Sequence, residues 1–305
     1  MASQPEIAAD RLRRYSGSGL STFGAVVRWL WWFTKKKPMG AIGLFILVFA
    51  AIIAVFGPWL IPHDPLKINS KDLLHGPQWV SGFVLGTDHL GRDNMSRLMI
   101  GARSSLSIAV IGVSSGTFVG FFLGLYSGFY PDWRDATIQR FVDMLMALPI
   151  LVLALAIVAM LGASTRNVII AISIIQVPGT ARIVRSVVLS VRTMEYVQAA
   201  RALGATDTRI IWRHVATQTF APVMILVTAA LGIAIIIEAS LAFLGLGTPP
   251  PNPAWGSMLA GQARQHAEDA PWNAVFPGLC LAITVFGFNM LGDSLRDVLD
   301  PRLRT

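Results

Sequence analysis

The sequence predicts an all-α integral membrane protein with six transmembrane helices. Of its 305 residues, 54% are hydrophobic and only 14% are charged, whereas about a quarter of the residues of an ordinary soluble protein are charged. The hydrophobic residues are concentrated in long runs without a charged side chain. Because a segment in lipid has to satisfy its own backbone hydrogen bonds, these runs are expected to be helices.

Five uncharged runs are long enough to span a membrane, which takes about 20 mostly apolar residues. They cover residues 38–62, 104–131, 144–165, 215–237 and 270–292. A sixth, weaker run covers residues 167–181 and continues beyond Arg182 and Arg185. It contains Pro178-Gly179, which fits an ordinary helix kink and equally a broken helix beside a cavity. Pro178 is therefore one candidate pathway residue.

The distribution of Lys and Arg predicts that both termini are cytoplasmic. With that orientation, 18 of the 25 basic residues lie in cytoplasmic segments and the other seven lie outside. The net charge of +8 then reflects membrane topology, and nucleic acid is not expected as a partner. The first run is too long for the apolar core of a signal peptide, so we expect it to remain as a helix.

Residues 1–37 are expected to form a cytoplasmic N-terminal segment. Near its end, three tryptophans between residues 29 and 32 and Phe33 precede the lysines at 35–37. Aromatic and basic side chains together suit the lipid headgroup layer, which favours an interfacial helix. The same residues also fit a plain aromatic belt before the first transmembrane helix.

The motifs of an enzyme are missing from the sequence. It contains no G-x-x-x-x-G-K-[ST] loop for the phosphates of ATP and no G-x-S-x-G nucleophile turn. The five histidines are scattered, without metal-ligand spacing, and the single Cys280 allows no intrachain disulfide. Segment 86–94 superficially resembles a calcium loop but lacks its acidic pattern, so Asp88 and Asp93 are expected to cap turns or helices. We predict no catalytic residue, no metal site and no cofactor in the chain itself.

Glu238 is the one ionisable residue within a long apolar run. Ionisable residues inside a membrane often line a polar pathway, and Glu238 is therefore the second candidate pathway residue. Its position also fits a structural partner buried near a helix end. One carboxylate gives little support to a proton-driven carrier.

The segment EYVQAARALGAT (195–206) is polar and rich in small residues, although it lies between two transmembrane runs. Its spacing predicts a short two-faced helix, with Tyr196, Ala199, Ala200 and Leu203 on one face and Glu195, Gln198 and Arg201 on the other. Gly204 follows where a left-handed residue commonly ends a helix. Thr206 or Asp207 could then cap a second helix that leads into the run 215–237. The small side chains allow another surface to approach closely; a surface loop with incidental alanines is the alternative.

The stretch Q-A-A-R-A-L-G (198–204) resembles the cytoplasmic E-A-A-x-x-x-G loop of ABC-importer permeases. Further segments are similar to the second, C-type permease of dipeptide and oligopeptide importers, a family that also includes glutathione and nickel permeases. These segments are LGTDHLGRDNMSRLMIGARSSL (85–106), SLAFLGLGTPPPNPAWGSML (240–259) and FNMLGDSLRDVLDP (288–301). The resemblance extends from about residue 36 onward and implies the type I ABC-importer transmembrane fold.

In that family the loop is a coupling helix that docks into a groove on an ATP-hydrolysing subunit. The resemblance therefore assigns ATPase coupling to Glu195, Tyr196, Gln198, Ala199, Ala200, Arg201, Leu203, Gly204 and Ala205. Gln198 stands where the motif has its first Glu, and Glu195 lies one turn earlier as a candidate replacement.

The resemblance also implies the partners and the location of the chain. The expected partners are a homologous second permease in a heterodimer, two ABC ATPase subunits that bind ATP and Mg, and a periplasmic or extracellular solute-binding protein. The expected location is the bacterial inner membrane. The predicted organisation is a cytoplasmic segment 1–37, a first helix 38–62, a periplasmic segment 63–103, a five-helix core 104–293 with its coupling loop at 193–215, and a cytoplasmic tail 294–305.

The predicted function is that of a permease subunit importing dipeptides, oligopeptides or related small solutes. A secondary transporter or channel that works without ATP is the first alternative, and a membrane-embedded sensor or scaffold is the second. The apolar runs contain no charge pattern that distinguishes dipeptides, oligopeptides, glutathione and nickel chelates from one another.

Overall fold

A computed structural model of the chain describes residues 34–78, 82–260, 262–266 and 268–299. Within these ranges the regular structure is helical, apart from a single β-bridge between Thr87 and Asp93. Most of the predicted segment 1–37, including the proposed interfacial helix, lies outside the described residues, as do residues 300–305 of the predicted tail.

The helices occur in two sizes, long ones that form the bundle and short ones at its ends. In chain order they are α1 (Pro38–Leu60), α2 (Asn94–Phe129), α3 (Trp133–Met146), α4 (Ile150–Leu161), α5 (Thr165–Val191), α6 (Glu195–Ala202), α7 (Asp207–Ile210), α8 (Ala216–Phe243), α9 (Trp255–Leu259), α10 (Gln262–Gln265) and α11 (Trp272–Leu299). A π-helical turn, Ile211–Val215, joins α7 to α8. In the described part of the chain, five helices are long and apolar enough to cross a membrane (α1, α2, α5, the continuous α7–α8 helix and α11), and the bent pair α3–α4 allows a sixth. This agrees with the predicted all-α membrane fold.

The long helices connect two ends of the bundle. We call the end that carries α6 the inner end, after the cytoplasmic side predicted from the sequence, and the end that carries segments 61–93 and 244–271 the outer end. Lys37 and Asp297 form an ion pair of 2.7 Å at the inner end. The chain therefore enters α1 and approaches the end of α11 on the same side of the bundle.

The helix α2 begins at Asn94, well before the predicted start at residue 104, and this corrects the predicted outer segment 63–103. The prediction excluded charged residues and therefore began after Arg103, but α2 includes both Arg103, which is exposed, and Arg97, which is buried 3.5 Å from the Asp88 carboxylate. Asp93 caps the helix by accepting a hydrogen bond from the Ser96 amide at 3.0 Å. The expected capping role of Asp93 is thus confirmed.

The third predicted span, residues 144–165, is wrong as a single helix. The structure divides this region between α3 and α4, which meet at an angle of 90°. Pro149 explains the break, because a proline disfavours the helical conformation at the residue before it. The twelve residues of α4 extend only about 18 Å, which is shorter than the roughly 30 Å hydrocarbon core of a membrane.

The sixth, weaker run is a single helix in the structure. Helix α5 continues through Pro178 and Gly179 to Val191, so it is not broken at the proline. Of the two interpretations that the sequence left open, the broken helix is excluded.

Helices α2 and α5 run parallel and are in backbone contact along a stripe of glycines. The stripe consists of Gly112, Gly116, Gly120, Gly124 and Gly128, one for each turn of α2. A Cβ atom at Gly120 would lie 2.6 Å from the Val177 carbonyl oxygen, and one at Gly124 would lie 2.6 Å from the Ala181 carbonyl oxygen. Small residues four apart permit this close packing of membrane helices. The pair forms one wall of the bundle from end to end.

Candidate functional site

Helix α6 is a short, separately capped element at the inner end. Gly204 adopts φ +81° and its amide donates to the Arg201 carbonyl at 3.0 Å, while the Ala205 amide donates to the Ala200 carbonyl at 3.0 Å. These two bonds form a Schellman motif, which ends a helix at a left-handed glycine. The Thr206 hydroxyl then caps α7. The predicted helix stop at Gly204 and the cap at Thr206 are both confirmed.

A single buried side chain holds α6 against the bundle. Val197 is fully buried and packs in a cluster with valines of α5, including Val188 and Val191, and with Ile210 and Val215 beyond α6. Val197 is not among the site residues predicted from the sequence. The available signal was that it is the one branched aliphatic residue in Glu195–Ala202.

The face of α6 that points away from the bundle is exposed, and it carries apolar side chains next to the charged Glu195. Leu203 is 88% exposed and Tyr196 is 42% exposed, while Ala199 is exposed and Ala200 is partly buried. Ala199 lies about 200° around the helix from Val197. The face predicted from the spacing is therefore presented to the surroundings, where a partner can reach it.

Polar and aromatic contacts connect α6 to neighbouring segments. The Gln198 amide donates to the Arg192 carbonyl at the end of α5 at 3.0 Å. The guanidinium of Arg201 lies 6.0 Å from the Phe129 ring of α2. The Tyr196 ring lies 6.1 Å from that of His214 in the π-helical turn. A displacement of α6 would thus act directly on three segments that lead into the membrane.

The loop after α6 is also attached to the inner end of α2. The Tyr130 hydroxyl donates to the Asp207 carboxylate at 3.4 Å. Burial and the neighbouring Asp207 together raise the pKa of Tyr130, so the hydroxyl keeps its proton. This contact connects α7 to α2 beside the Arg201–Phe129 contact.

A cavity of about 390 Å³ opens between α3, α4, α5 and α8. Pro178 and Gly179 lie in its wall, opposite Ala230 and Ile233 of α8. Its lining is predominantly apolar, and the amide of its polar member, Gln176, already donates to threonine hydroxyls of α2 and α5. The structure thus brings Pro178 to a cavity, although the helix that carries it is unbroken.

Glu238 lies elsewhere, fully buried between α8 and α2. Its carboxylate accepts a hydrogen bond from the Ser105 hydroxyl at 3.1 Å, and that hydroxyl in turn accepts from the Trp255 amide at 3.1 Å. The Trp255 indole donates to the Leu98 carbonyl at 3.0 Å. Glu238 therefore connects α8 to the outer segment around α9, and it does not line the cavity described above.

The outer segment before α2 is organised around Asp88. Its carboxylate accepts hydrogen bonds from the amides of Leu90 and Arg92 at 2.9 and 3.0 Å and from the Arg92 side chain at 2.7 Å. The expected turn-capping role of Asp88 is confirmed. Burial lowers the pKa of the adjacent His89, and Arg92 and Arg97 act in the same direction against the opposing effect of Asp88.

Comparison with known sequences places the chain beside transport proteins. The family described as "Binding-protein-dependent transport system inner membrane component" matches residues 116–305. The family described as "N-terminal TM domain of oligopeptide transport permease C" matches residues 28–77. Together the two matches include α1, α6 and most of the helices that line the cavity.

Individual relatives match over most of their length. A protein of Alkalihalophilus pseudofirmus named dipeptide transport system permease protein DppC is 42% identical, over 89% of this chain and 88% of its own. The glutathione transport system permease protein GsiD of Pectobacterium atrosepticum is 40% identical over 90% of both chains. The di/tripeptide transport system permease protein DppC of Pseudomonas aeruginosa is 41% identical over 90% of this chain and 91% of its own.

A solved structure shares the fold. It is an inward-facing MetNI methionine ABC transporter, with a TM-score of 0.55 and 18% sequence identity, and the match covers 68% of this chain and 97% of that chain. At this level of identity the likeness concerns the arrangement of the helices alone.

Proposed function

The chain belongs to the family of binding-protein-dependent transport system inner membrane components, and on this basis we propose that it forms one half of the translocation pathway of a bacterial peptide importer. As a member of this family, it is a multi-pass permease subunit of an ABC importer. In such importers ATP is hydrolysed in separate ATPase subunits, and a solute-binding protein delivers the substrate.

The proposed coupling site is α6. It presents the exposed apolar face of Ala199 and Leu203 at the inner end, while Val197 holds its other face to the bundle. An apolar face on an otherwise exposed helix suits insertion into a groove of a partner. We assign that groove to one of two ABC ATPase subunits, which bind ATP and Mg. This exposed, anchored helix is the observation that carries the proposal.

Through its contacts, α6 passes a movement of the ATPase subunits on to the transmembrane helices. ATP-driven closure of the ATPases would displace α6, and the displacement would reach α5 through Arg192 and α8 through His214 and the π-helical turn. The turn from Gly204 to Asp207 is short and capped. It is therefore stiff, and α7 moves together with α6. Glu195 and Gln198 remain proposed contacts to the ATPase, with the Gln198 amide also bonded within its own loop.

The proposed pathway is the cavity beside Pro178. Its wall includes α5 and α8, the two helices that α6 contacts at the inner end. A homologous second permease would complete the pathway by covering the cavity from the other side, in a heterodimer. For Glu238 we favour a structural role, because its carboxylate is enclosed between α8 and Ser105.

The proposed substrates are small peptides, including dipeptides, oligopeptides and glutathione. This assignment is supported by the names of the relatives, which are 40–42% identical to this chain. The apolar lining of the cavity gives it few groups for recognising particular side chains, so selection would rest with the binding protein. The proposed contact with that protein is the outer end, at segments 63–93 and 246–269. The inner end would then lie in the cytoplasm.

Ala199→Glu tests the coupling role of α6 without disturbing the core, since Ala199 is exposed. A carboxylate forced into an apolar groove costs about 1–3 kcal/mol without a partner, which corresponds to at least about fivefold weaker docking. The complex reconstituted in vesicles should hydrolyse ATP but take up less dipeptide per ATP. The matched control is Ala136→Glu, an exposed alanine of α3. Unchanged uptake per ATP in Ala199→Glu would contradict the docking of α6.

A further inference from the structure

An ion pair lies at the inner side of the pathway cavity, between α5 and α3. Arg182 donates through Nη2 to Oδ1 of Asp143 at 2.7 Å. Arg182 follows Gly179 by three residues, and Asp143 precedes Met146 by three residues; Gly179 and Met146 both line the cavity. Because residues three apart share a helix face, the pair joins two walls of the cavity just below its apolar part.

The two side chains of this ion pair are unusually exposed for charges beside a transmembrane cavity. The side chains of Arg182 and Asp143 are 49% and 63% exposed. Charged residues within a membrane span face the protein interior or a water-filled space. An exposed pair of this kind contributes little to stability. Each residue can therefore leave its partner and bind another charged group instead.

A neighbouring pair on the same two helices has a different character. Arg185 binds Asp135 in bidentate fashion, with Nε–Oδ1 and Nη2–Oδ2 distances of 2.7 and 2.6 Å. The Asp135 side chain is only 11% exposed. This pair also joins α3 to α5, so the two helices stay connected when Arg182 and Asp143 separate.

We propose that Arg182 and Asp143 form an inner gate that exchanges charges with the two ends of a peptide as it leaves the pathway. Arg182 takes the terminal carboxylate and Asp143 takes the terminal ammonium, and the pair closes again when the peptide has left. Among the residues that the structure describes, none that lines the cavity is charged, and a zwitterion is costly to hold without counter-charges. The gate supplies both charges at the point where the apolar wall ends. This inference rests on the proposed import of peptides.

The test uses the complete importer, with both permeases, the ATPases and the binding protein, in vesicles supplied with radiolabelled dialanine. Arg182→Gln and Asp143→Asn should each lower uptake per ATP at least about tenfold, as expected for the loss of one charged hydrogen bond. ATP hydrolysis stimulated by the binding protein should stay within about twofold of the wild type, because α6 is untouched. Arg140→Gln is the matched control, because Arg140 is exposed on α3. The complex with this variant should import normally.

The reversed double variant, Arg182→Asp with Asp143→Arg, separates a gate from a structural tether. It restores an ion pair but places each charge opposite the wrong end of the peptide, so uptake should remain low. Full uptake in the double variant, or in either single variant, would overturn the gate. If the single variants fail to assemble, Arg182→Lys keeps the charge and should retain uptake, and its loss would also overturn the proposal. A wild-type complex that imports no dipeptide, oligopeptide or glutathione would instead refute the proposed function.

Discussion

Replacing Gly120 in the stripe between α2 and α5 should destabilise the protein more than replacing Gly179 in the same way. Both lie inside helices, so Gly120→Ala and Gly179→Ala gain a similar helix propensity of about 1 kcal/mol. A Cβ at residue 120 would lie 2.7 Å from the Thr180 Cβ, whereas one at residue 179 would meet nothing within 4 Å. Ordinary contact begins at 3.4 Å and the nearest atom, the Val177 carbonyl oxygen, would lie at 2.6 Å, so α2 and α5 would have to separate by about 0.8 Å.

Overpacking of this kind costs about 1–3 kcal/mol, and separation also weakens the dispersion contacts at the other glycines of the stripe. The free energy of unfolding of Gly120→Ala should therefore be about 1–3 kcal/mol lower than that of Gly179→Ala. Reversible unfolding by SDS in mixed micelles, followed by circular dichroism, measures the difference. Equal stability of the two variants, or greater stability of Gly120→Ala, would refute the reasoning.

Two further predictions concern the outer half of the protein. Glu238→Ala leaves the Ser105 hydroxyl without its acceptor and should lower the free energy of unfolding by about 1–3 kcal/mol. Glu238→Gln keeps an acceptor and should retain uptake; a stable Gln variant that fails to import would contradict the structural role. Burial lowers the pKa of His89 in the folded protein relative to about 6.5 in the unfolded chain. Protonation then favours unfolding, so this contribution to stability is complete above about pH 6.5 and is lost as the pH falls below it. The unfolding midpoint should drop more steeply with acid in the wild type than in His89→Gln, and identical pH profiles would exclude the effect.

The transmembrane helices were predictable where apolar character alone decides the structure. The uncharged run 38–62 corresponds to α1 (Pro38–Leu60) because nothing in that run interrupts the helix. The same criterion failed at the start of α2, since Arg103 and Arg97 are both charged and both lie inside the helix. Arg97 is buried beside Asp88, and no count of charges anticipates that contact. The criterion also failed at Pro149. The proline itself indicates a break in the helix, but the apolar run around it is long enough to be predicted as a single span.

The candidate site was predictable in its local structure but not in its placement. Residue spacing and Gly204 predicted the extent of α6, because caps and helix periodicity depend on neighbouring residues. Which side of α6 would be buried depends on residues far along the chain, including Val215 and Ile210 beside Val197. The ion pair between Arg182 and Asp143 likewise joins distant positions, which a single sequence does not bring together.

The glycine stripe restricts how the protein can change shape during transport. Backbone contact on five successive turns means that neither α2 nor α5 can rotate or slide alone without parting from the other along its whole length. We expect the change between inward and outward openings to be taken up outside this pair, for example at the right-angled junction before Pro149 and at the π-helical turn Ile211–Val215.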